Sequence, residues 1–397
     1  MDNLLAINGG KPVRDTYLSY GKQFIDKADI EKVVNVLKSD YLTTGPNVVE
    51  FEKKVADYIG VKYAVAVSNG TAALHAACNA AGIKDGDEVL VSAVTFAASA
   101  NSILYCGGKP IFMDLDSRTY NIDVNKIEAK ITDKTKAIIP VDFTGQSVDI
   151  DSIMNIAEKY NLIVIEDSAH ALGAEYKGRK VGSTAHMTEF SFHPVKPVTT
   201  GEGGIVVTNS KKYYEKLNLF RNHGITKNCE LMYDNQGPWY YEQIELGYNY
   251  RITDIQCALG ISQMDKIDDF IEKRRKIAKT YNEAFKDMKQ INIPFEYDFS
   301  KSGYHIYVIT LNLEKLQVGR KEIFKALQKE NIGVNVHYMP VYLHPYYQKL
   351  GYIKGECPIA EELYERMITI PLFPSMSVYD VETVIRAVKK VICYYTI

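Results

Sequence analysis

The sequence predicts an α/β protein with a mostly parallel seven-stranded sheet, helices on both faces, and a smaller C-terminal α+β region. Between about residues 60 and 210, short β-branched runs alternate with helical patterns, which is typical of a parallel sheet. The chain has 397 residues, which exceeds the usual size of a single domain. After Arg251 the alternation stops. We therefore expect two domains, residues 1–250 and 251–397.

Seven short apolar runs make up the predicted sheet. They are Tyr63–Val67, Glu88–Val91, Pro110–Asp114, Ala137–Val141, Leu162–Ile165, Thr188–Phe192 and Ile205–Thr208. Before them, Asp29–Leu37 and Val48–Ile59 carry apolar residues at three-and-four spacing, which predicts two amphipathic helices.

The region after Arg251 has longer elements. Residues 254–285 have the pattern of one long helix, in which the basic run 273–276 is expected to form a solvated face. The remaining predicted elements are a strand at Tyr304–Leu311, a helix at Arg320–Glu330, a strand at Gly333–Tyr338 and a closing helix at Val378–Cys393.

Composition narrows the class of protein. Apolar residues make up 46% and charged residues 24%, as in ordinary globular proteins. The net charge of -2 and the lack of a dense basic cluster disfavour a nucleic-acid partner. Six cysteines without C-x-x-C spacing favour reduced thiols over disulfides or zinc. The N-terminus, Met1–Ala6, does not resemble a signal peptide, and no apolar run is long enough to span a bilayer. We expect a soluble cytoplasmic protein with no membrane partner.

One lysine stands in an unusual place. Lys196 follows the strand-like run Thr188–Phe192 and lies between Pro194 and Pro197, just before the glycine-rich stretch 201–204. Most lysines are simply solvated. A lysine in a low-dielectric cleft, however, has a lowered pKa and reaches its neutral, nucleophilic form. The position suggests a Schiff-base enzyme.

Other strand ends carry polar or aromatic groups that would meet at one edge of the sheet. Ser68–Thr71 opens a helix and could cradle a phosphate, or only cap the helix. Phe96 could stack on a flat heteroaromatic ring, or belong to the core. Asp167 could hold a proton on a pyridine nitrogen, although an aspartate after a strand is more often a turn or cap residue. His170 could orient the heteroaromatic ring or Asp167, although an isolated histidine is usually structural. With Lys196, these groups are those that a pyridoxal phosphate site needs.

The sequence lacks the motifs of dinucleotide, P-loop and metal sites. No G-x-G-x-x-G follows the first strand and no G-x-x-x-x-G-K-[ST] occurs, which disfavours a dinucleotide or P-loop site. No H-E-x-x-H or clustered His/Cys spacing points to a metal.

Six motifs resemble, in order and over nearly the whole chain, the DegT/DnrJ/EryC1/StrS family of nucleotide-sugar aminotransferases. They are Tyr41–Pro46, Ser68–Leu74, Glu166–Gly173, the Lys196 segment, Arg221–Gly224 and Leu246–Arg251. The resemblance implies the fold-type-I architecture and pyridoxal 5′-phosphate as cofactor.

The resemblance also implies roles for individual residues. Lys196 would be the Schiff-base lysine and proton shuttle, and Asp167 would be the partner of the ring nitrogen. The other implied cofactor contacts are Phe96 on the ring, His170 near the ring oxygen, and Gly70, Thr71 and Ser191 on the phosphate. Asn249 would reach the phosphate of the other subunit, which implies a homodimer with shared active sites.

Within the family, Phe190–Thr200, Val141–Val148 and Val336–Tyr342 are similar to the aminotransferases of pseudaminic acid biosynthesis. The implied reaction moves an amino group from L-glutamate to C4 of a UDP-linked 4-keto-6-deoxy-N-acetylhexosamine. The implied contacts to the nucleotide sugar are Tyr20, Leu42, Thr43, His337 and Tyr338.

Three alternatives remain beside this interpretation. The substrate could be another nucleotide-linked keto-sugar, carrying UDP or dTDP. A sugar dehydratase of the same family would have histidine at the lysine position, so Lys196 disfavours it. A regulator that binds pyridoxal phosphate without turnover is the alternative from a different class.

Overall fold

The computed structural model describes residues 4–397; Met1–Asn3, the start of the segment in which no signal peptide is recognised, lie outside the described residues. The described chain contains twelve α-helices and fifteen strands. The helices are α1 Lys27–Leu37, α2 Pro46–Ile59, α3 Gly70–Ala80, α4 Ala98–Tyr105, α5 Ile150–Tyr160, α6 Lys211–Arg221, α7 Asp254–Met264, α8 Ile267–Phe285, α9 Arg320–Lys329, α10 Pro345–Lys349, α11 Pro358–Arg366 and α12 Val378–Tyr394. The strands are β1 Tyr63–Val67, β2 Glu88–Ser92, β3 Lys109–Met113, β4 Thr135–Ile139, β5 Ile163–Asp167, β6 Glu175–Tyr176, β7 Arg179–Lys180, β8 Met187–Ser191, β9 Gly204–Thr208, β10 Ile225–Thr226, β11 Glu242–Gln243, β12 Ile291–Asn292, β13 Ser300–Lys301, β14 Tyr307–Leu311 and β15 Met367–Ile370.

The central sheet has seven strands in the order β1-β9-β8-β5-β4-β2-β3. Its pairs are parallel except at β9, which runs antiparallel to both β1 and β8. The seven predicted strands are the seven strands of this sheet, with ends displaced by at most two residues. The predicted fold class, α/β with a mostly parallel seven-stranded sheet, is therefore confirmed.

Helices cover both faces of the sheet. The core cluster on one face joins α3 and α4 to β1, β2 and β4. A second cluster joins α2 and α7 to the other face of β1, β8 and β9. Because β1, β2, β4, β5 and β8 run in the same direction, their carboxyl ends meet at one edge.

A second core forms around the three-stranded sheet β12-β14-β15. It contains apolar residues of α8, α9 and α12, together with Leu5 and Leu18 from the N-terminal segment. The smaller α+β region is thus present. The division at residue 250 stays a prediction.

Residues 254–285 form two helices, so the prediction of one long helix is wrong. The break lies at Asp265 and Lys266. Helix α7 packs against α1 and α2, whereas α8 packs against α12. Lys266 turns toward α1, where its Nζ pairs with Asp26 at 2.7 Å and Asp29 at 2.9 Å. Because α7 and α8 pack against different helices, the chain changes direction between them.

The basic run 273–276 is not simply a solvated face, because Arg274 is buried. Its guanidinium donates hydrogen bonds to the carbonyl oxygens of His305 at 3.0 Å and Leu372 at 3.1 Å. Burial lowers the pKa of Arg274 to about 9. The side chain therefore joins α8 to the strand that begins after His305.

The predicted strand Gly333–Tyr338 is also wrong. The segment forms one isolated bridge, Asn335 with Thr369, and Ile332 just before it bridges Leu18. After Asn335 the chain leaves the sheet edge and enters a cavity, so its later N–H groups do not continue a ladder. Thr369 belongs to β15, a strand beside β14 that was not predicted from the sequence.

All six cysteines carry free thiols, and burial raises the pKa of the Cys357 thiol to about 12. Within residues 4–397, no helix combines the length and apolar character needed to cross a membrane.

Phe51→Ala is expected to lower the free energy of unfolding by about 3–5 kcal/mol, because it leaves a cavity in the core. Phe51 on α2 is fully buried, and its ring meets that of Phe192 edge-on at 5.0 Å between centroids. Urea unfolding measures the change. Glu50→Ala on the same helix is the control, because Glu50 is exposed and its replacement should cost less than about 0.5 kcal/mol. Equal losses in the two variants would contradict the packing described here.

Candidate active site

A cavity of about 730 Å³ opens at the carboxyl ends of the central strands. Most of the residues that line it lie at the carboxyl ends of β1, β2, β4, β5 and β8 or just after them. The others include Tyr20 before α1, His305 before β14, and residues 335–338 after α9. Of the predicted site residues, it brings together Tyr20, Gly70, Thr71, Phe96, Asp167, His170, Ser191, Lys196, His337 and Tyr338. Ten of the thirteen predicted residues thus share one cavity, which is the size of a ligand site.

Lys196 lies in the turn after β8. Its N–H donates to the carbonyl oxygen of His193 at 2.9 Å, and the turn is closed by Thr200 N–H donating to Phe192 at 3.1 Å. Gly201 has a φ of 81°, which glycine adopts without strain. The side chain points into the cavity, where burial lowers the pKa of Lys196 to about 8 although Glu189 and Asp167 oppose the shift. A sizeable neutral fraction of Lys196 is therefore present near neutral pH.

This lowered pKa predicts selective reactivity of Lys196. In the chain free of ligands, acylation of Lys196 by an amine-reactive reagent should rise with pH and be half-maximal near pH 8. An ordinary lysine reaches that point at about pH 10.4. Peptide mass spectrometry can follow Lys196 and the exposed Lys211 in one sample. The same half-point for both lysines would contradict the effect of burial.

Asp167 is the last residue of β5 and is buried. The hydroxyl of Ser99 donates to its Oδ2 at 2.5 Å, and the N–H of Ala169 donates to its Oδ1 at 3.2 Å. These two donors hold the carboxylate at the base of the cavity and stabilise its charge. Asp167 is more than a turn residue, because its side chain faces the cavity.

Helix α3 begins at the cavity edge. Asn69 caps it, accepting a hydrogen bond from the N–H of Ala72 at 2.9 Å, so the capping alternative is correct for this residue. Gly70 follows, and a methyl group added to it would lie 3.1 Å from the Oγ of Ser191. The N-terminal N–H groups of a helix lack partners within the helix and favour anions. The helix start and Ser191 thus form a compact anion cradle.

Phe96 does not belong to the core, since its side chain is 62% exposed at the cavity rim. Its ring lies 6.1 Å from that of Tyr338. An exposed aromatic face beside a polar cavity is available for stacking on a flat ligand.

His170 also lies beside Tyr338. Its Nε2 is 3.1 Å from the hydroxyl of Tyr338, and its ring is 4.5 Å from that of His305. Burial lowers the pKa of both histidines well below the usual range, and the charge of Lys196 adds to the effect. Both rings are therefore neutral at pH 7.

Two buried titratable residues of the cavity, His305 and Glu189, were not among the predicted site residues. His305 lies near the amino end of the predicted strand Tyr304–Leu311, whereas the site was sought at the carboxyl ends of strands. Glu189 lies inside the run Thr188–Phe192, where a charge in an apolar strand was the available signal. Its carboxylate is buried, and neither oxygen has a hydrogen-bond partner among residues 4–397.

Three predicted site residues lie outside this cavity. Leu42 and Thr43 precede α2; Leu42 accepts a hydrogen bond from the N–H of Asp254 at 3.1 Å, and Thr43 pairs with Thr253. Asn249 pairs with Asn222. The cavity of a single chain does not include them, and their roles stay predictions.

Among the described residues, no group of three or more His, Cys, Asp or Glu side chains is arranged to hold a metal ion. The cavity's chemical groups are instead an amine, carboxyl groups, neutral imidazoles and an anion cradle.

Comparison with known proteins identifies the family of this chain. Residues 23–389 match the model of the DegT/DnrJ/EryC1/StrS aminotransferase family. The UDP-4-amino-4,6-dideoxy-N-acetyl-beta-L-altrosamine transaminase of Campylobacter jejuni is 41% identical over 388 residues, covering 95% of this chain and 100% of the relative.

Two solved structures have the same fold over nearly the whole chain. Helicobacter pylori PseC, an aminotransferase of pseudoaminic acid biosynthesis, superposes with a TM-score of 0.90 at 33% identity, covering 96% of this chain and 100% of its own. The PLP form of the sugar aminotransferase Spr1654 from Streptococcus pneumoniae has a TM-score of 0.89 at 31% identity, covering 95% and 99%. The chain belongs to the DegT/DnrJ/EryC1/StrS aminotransferase family and is a pyridoxal-phosphate-dependent aminotransferase.

Proposed function

We propose that this enzyme transfers an amino group from L-glutamate to C4 of a UDP-linked 4-keto-6-deoxy-N-acetylhexosamine, as in pseudaminic acid biosynthesis. The observation that carries the chemistry is a cavity with Lys196, whose pKa is lowered to about 8, beside the hydrogen-bonded Asp167. The names of the Campylobacter and Helicobacter relatives support the choice of sugar.

The residues present fit pyridoxal phosphate. Gly70 leaves room for an anion at the start of α3, where a side chain would collide with Glu189 and crowd Ser191. Asp167 offers a buried carboxylate already held by Ser99. Phe96 offers an exposed ring face. The cofactor would thus be held at its phosphate, its ring nitrogen and its ring face.

Bound there, pyridoxal phosphate supplies an electron sink for the carbon that loses a proton. Asp167 would hold the proton on the ring nitrogen by charge. Lys196 Nζ would bind the cofactor, then act as base and acid, because its lowered pKa lets it give and take a proton near neutral pH. His170, neutral and tied to Tyr338, would accept or donate a hydrogen bond at the ring oxygen. Thr71 and Ser191 would bind the phosphate.

The sugar nucleotide would enter beside the segment that follows Asn335. Tyr20 and His337 line this side, with their rings 5.3 Å apart, and Tyr338 lies next to the cofactor wall. Burial lowers the pKa of His337 to about 4, so it would meet the sugar as a neutral ring. This side of the cavity would therefore bind the sugar by aromatic contact and uncharged hydrogen bonds.

A second copy of the chain would complete the site. We propose a homodimer in which Asn249 contacts the phosphate in the partner's cavity, and Leu42 and Thr43 contact its substrate. Exposed apolar side chains near these positions support it, among them Leu42, Val49 and Leu246. The aromatic stretch 234–241, with Trp239 exposed, would lie near the same interface.

Since all six thiols are free, we place the enzyme in the cytoplasm.

Incubation with pyridoxal phosphate, glutamate and a panel of 4-keto-6-deoxy sugars carrying UDP or dTDP tests the proposal. We expect an amino-sugar only from the UDP-N-acetylhexosamine members, identified by mass spectrometry, with NMR locating the new amine at C4. Product from a dTDP sugar alone would overturn the substrate. A protein that binds the cofactor but never aminates any sugar would overturn the proposed transfer.

A further inference from the structure

Glu189 is a buried acid that the proposed chemistry has not used. It is 0% exposed, and neither carboxyl oxygen has a hydrogen-bond partner among the described residues. Burying an unpaired carboxylate is costly, so such a group is expected to be protonated or to bind a ligand. Glu189 also lines the cavity. Both facts point to a role in that site.

The position of Glu189 follows from the sheet. In the parallel register of β5 and β8, Glu189 is paired with Asp167. Ser191 lies two residues further on β8 and therefore on the same face. A methyl group added at Gly70 would lie 2.6 Å from Oε1 of Glu189. Glu189 thus lies between the partner of the ring nitrogen and the phosphate cradle.

The neighbouring groups decide which acid of the pair carries the charge. Asp167 accepts two hydrogen bonds, from Ser99 and Ala169, which stabilise its ionised form. Glu189 accepts none from residues 4–397, and burial together with the charge of Asp167 raises its pKa well above the usual range, while Lys196 opposes the rise. On its other sides, α3 presents uncharged Gly70 and β9 presents uncharged Val206. The pair therefore keeps its proton on Glu189.

We propose that Glu189 is a further cofactor-binding residue that acts as the neutral acid, donating a hydrogen bond to the cofactor between Asp167 and the Gly70–Ser191 cradle. This inference rests on the proposed function. Neutral Glu189 leaves a single negative charge, that of Asp167, beside the ring nitrogen. Ionised Glu189 would repel the phosphate that the cradle holds, so cofactor affinity would fall.

The test is binding of pyridoxamine 5′-phosphate, which has an amine in place of the aldehyde and forms no bond to Lys196. Its Kd is measured from about pH 6 to about pH 9 for the cofactor-free chain and for Glu189→Gln, which keeps the size and the donor but cannot ionise. We expect the two Kd values to agree within about threefold at low pH. The wild-type value should then rise relative to the variant by up to about tenfold per pH unit once Glu189 ionises.

Glu166→Gln is the matched control. Glu166 is also buried, and burial raises its pKa to about 7, but it accepts a hydrogen bond from Thr188 at 2.9 Å and is not a cavity residue. Its pH profile should follow that of the wild type. If Glu189→Gln does not fold, Glu189→Thr, which suits a strand, takes the same comparison.

The outcomes separate this inference from the proposed function. A Glu189→Gln variant that binds more than about tenfold worse at low pH overturns the role of Glu189, as does a Glu189→Leu variant, which has no donor, that binds as tightly as the wild type there. A wild-type chain that binds no pyridoxamine phosphate at any pH overturns the proposed function itself.

Discussion

Lys196→Ala should abolish amination of the sugar nucleotide, lowering kcat by roughly 10⁴-fold or more, because it removes both the covalent anchor of the cofactor and the group that moves the proton. The same variant should lose the visible absorption of the lysine-bound cofactor. Among the described residues that line the cavity, Lys196 is the one lysine, so no other side chain there offers an equivalent amine. Burial lowers its pKa to about 8, which favours the neutral form that reacts. Absorption spectra and product formation from glutamate measure the two effects.

The effect should be specific to this lysine. Lys211→Ala is the matched control, because Lys211 is an exposed residue of α6 whose one ion pair within residues 4–397 is with Glu215 at 3.5 Å. Its kcat should stay within about twofold of the wild type, as expected for a surface substitution. The Lys196→Ala protein should also keep its thermal stability, since a half-buried amine with no carboxylate within 4 Å in residues 4–397 contributes little to folding. Wild-type turnover by Lys196→Ala would refute the assignment.

The central sheet could be predicted because each of its strands is an apolar run bounded by turn signals. The same reasoning pointed to Asp167 and Lys196, since Asp167 is the last residue of β5 and Lys196 lies in the turn after β8. Gly333–Tyr338 has a strand-like composition, but its pairing is limited to one bridge, between Asn335 and Thr369 of β15. That outcome depends on packing between distant segments, which no local pattern encodes.

Buried charges were the other class of error. Arg274 belongs to a basic run that looks solvated, yet carbonyl oxygens of Tyr304, His305 and Leu372 surround its guanidinium. Glu189 becomes a cavity residue only through its register with β5. In both cases the side chain is polar, while the sequence signal for burial is apolar periodicity. For Arg274, the carbonyl partners that make burial tolerable are distant in the sequence, so they could not be inferred locally.

Asp167→Asn should lower kcat by roughly 10²- to 10³-fold, because the ring nitrogen would lose the negative charge that keeps it protonated and the ring would withdraw electrons less well. Asn has nearly the same size, so the cofactor should still bind. Ser99→Ala offers a graded comparison, since it removes the hydrogen bond of 2.5 Å to Asp167 Oδ2 but leaves the charge in place. Its loss should be about tenfold, corresponding to about 1.4 kcal/mol.

The two variants together distinguish charge from shape at this position. If Asp167 acts by its charge, Asp167→Asn must be much slower than Ser99→Ala, while both bind pyridoxal phosphate and fold. Spectra of the bound cofactor should shift with pH in Asp167→Asn, because protonation of the ring nitrogen then depends on solvent. Equal kcat values for wild type and Asp167→Asn would show that another group protonates the ring. Glu189, paired with Asp167 across β5 and β8, is the nearest acid that could do so.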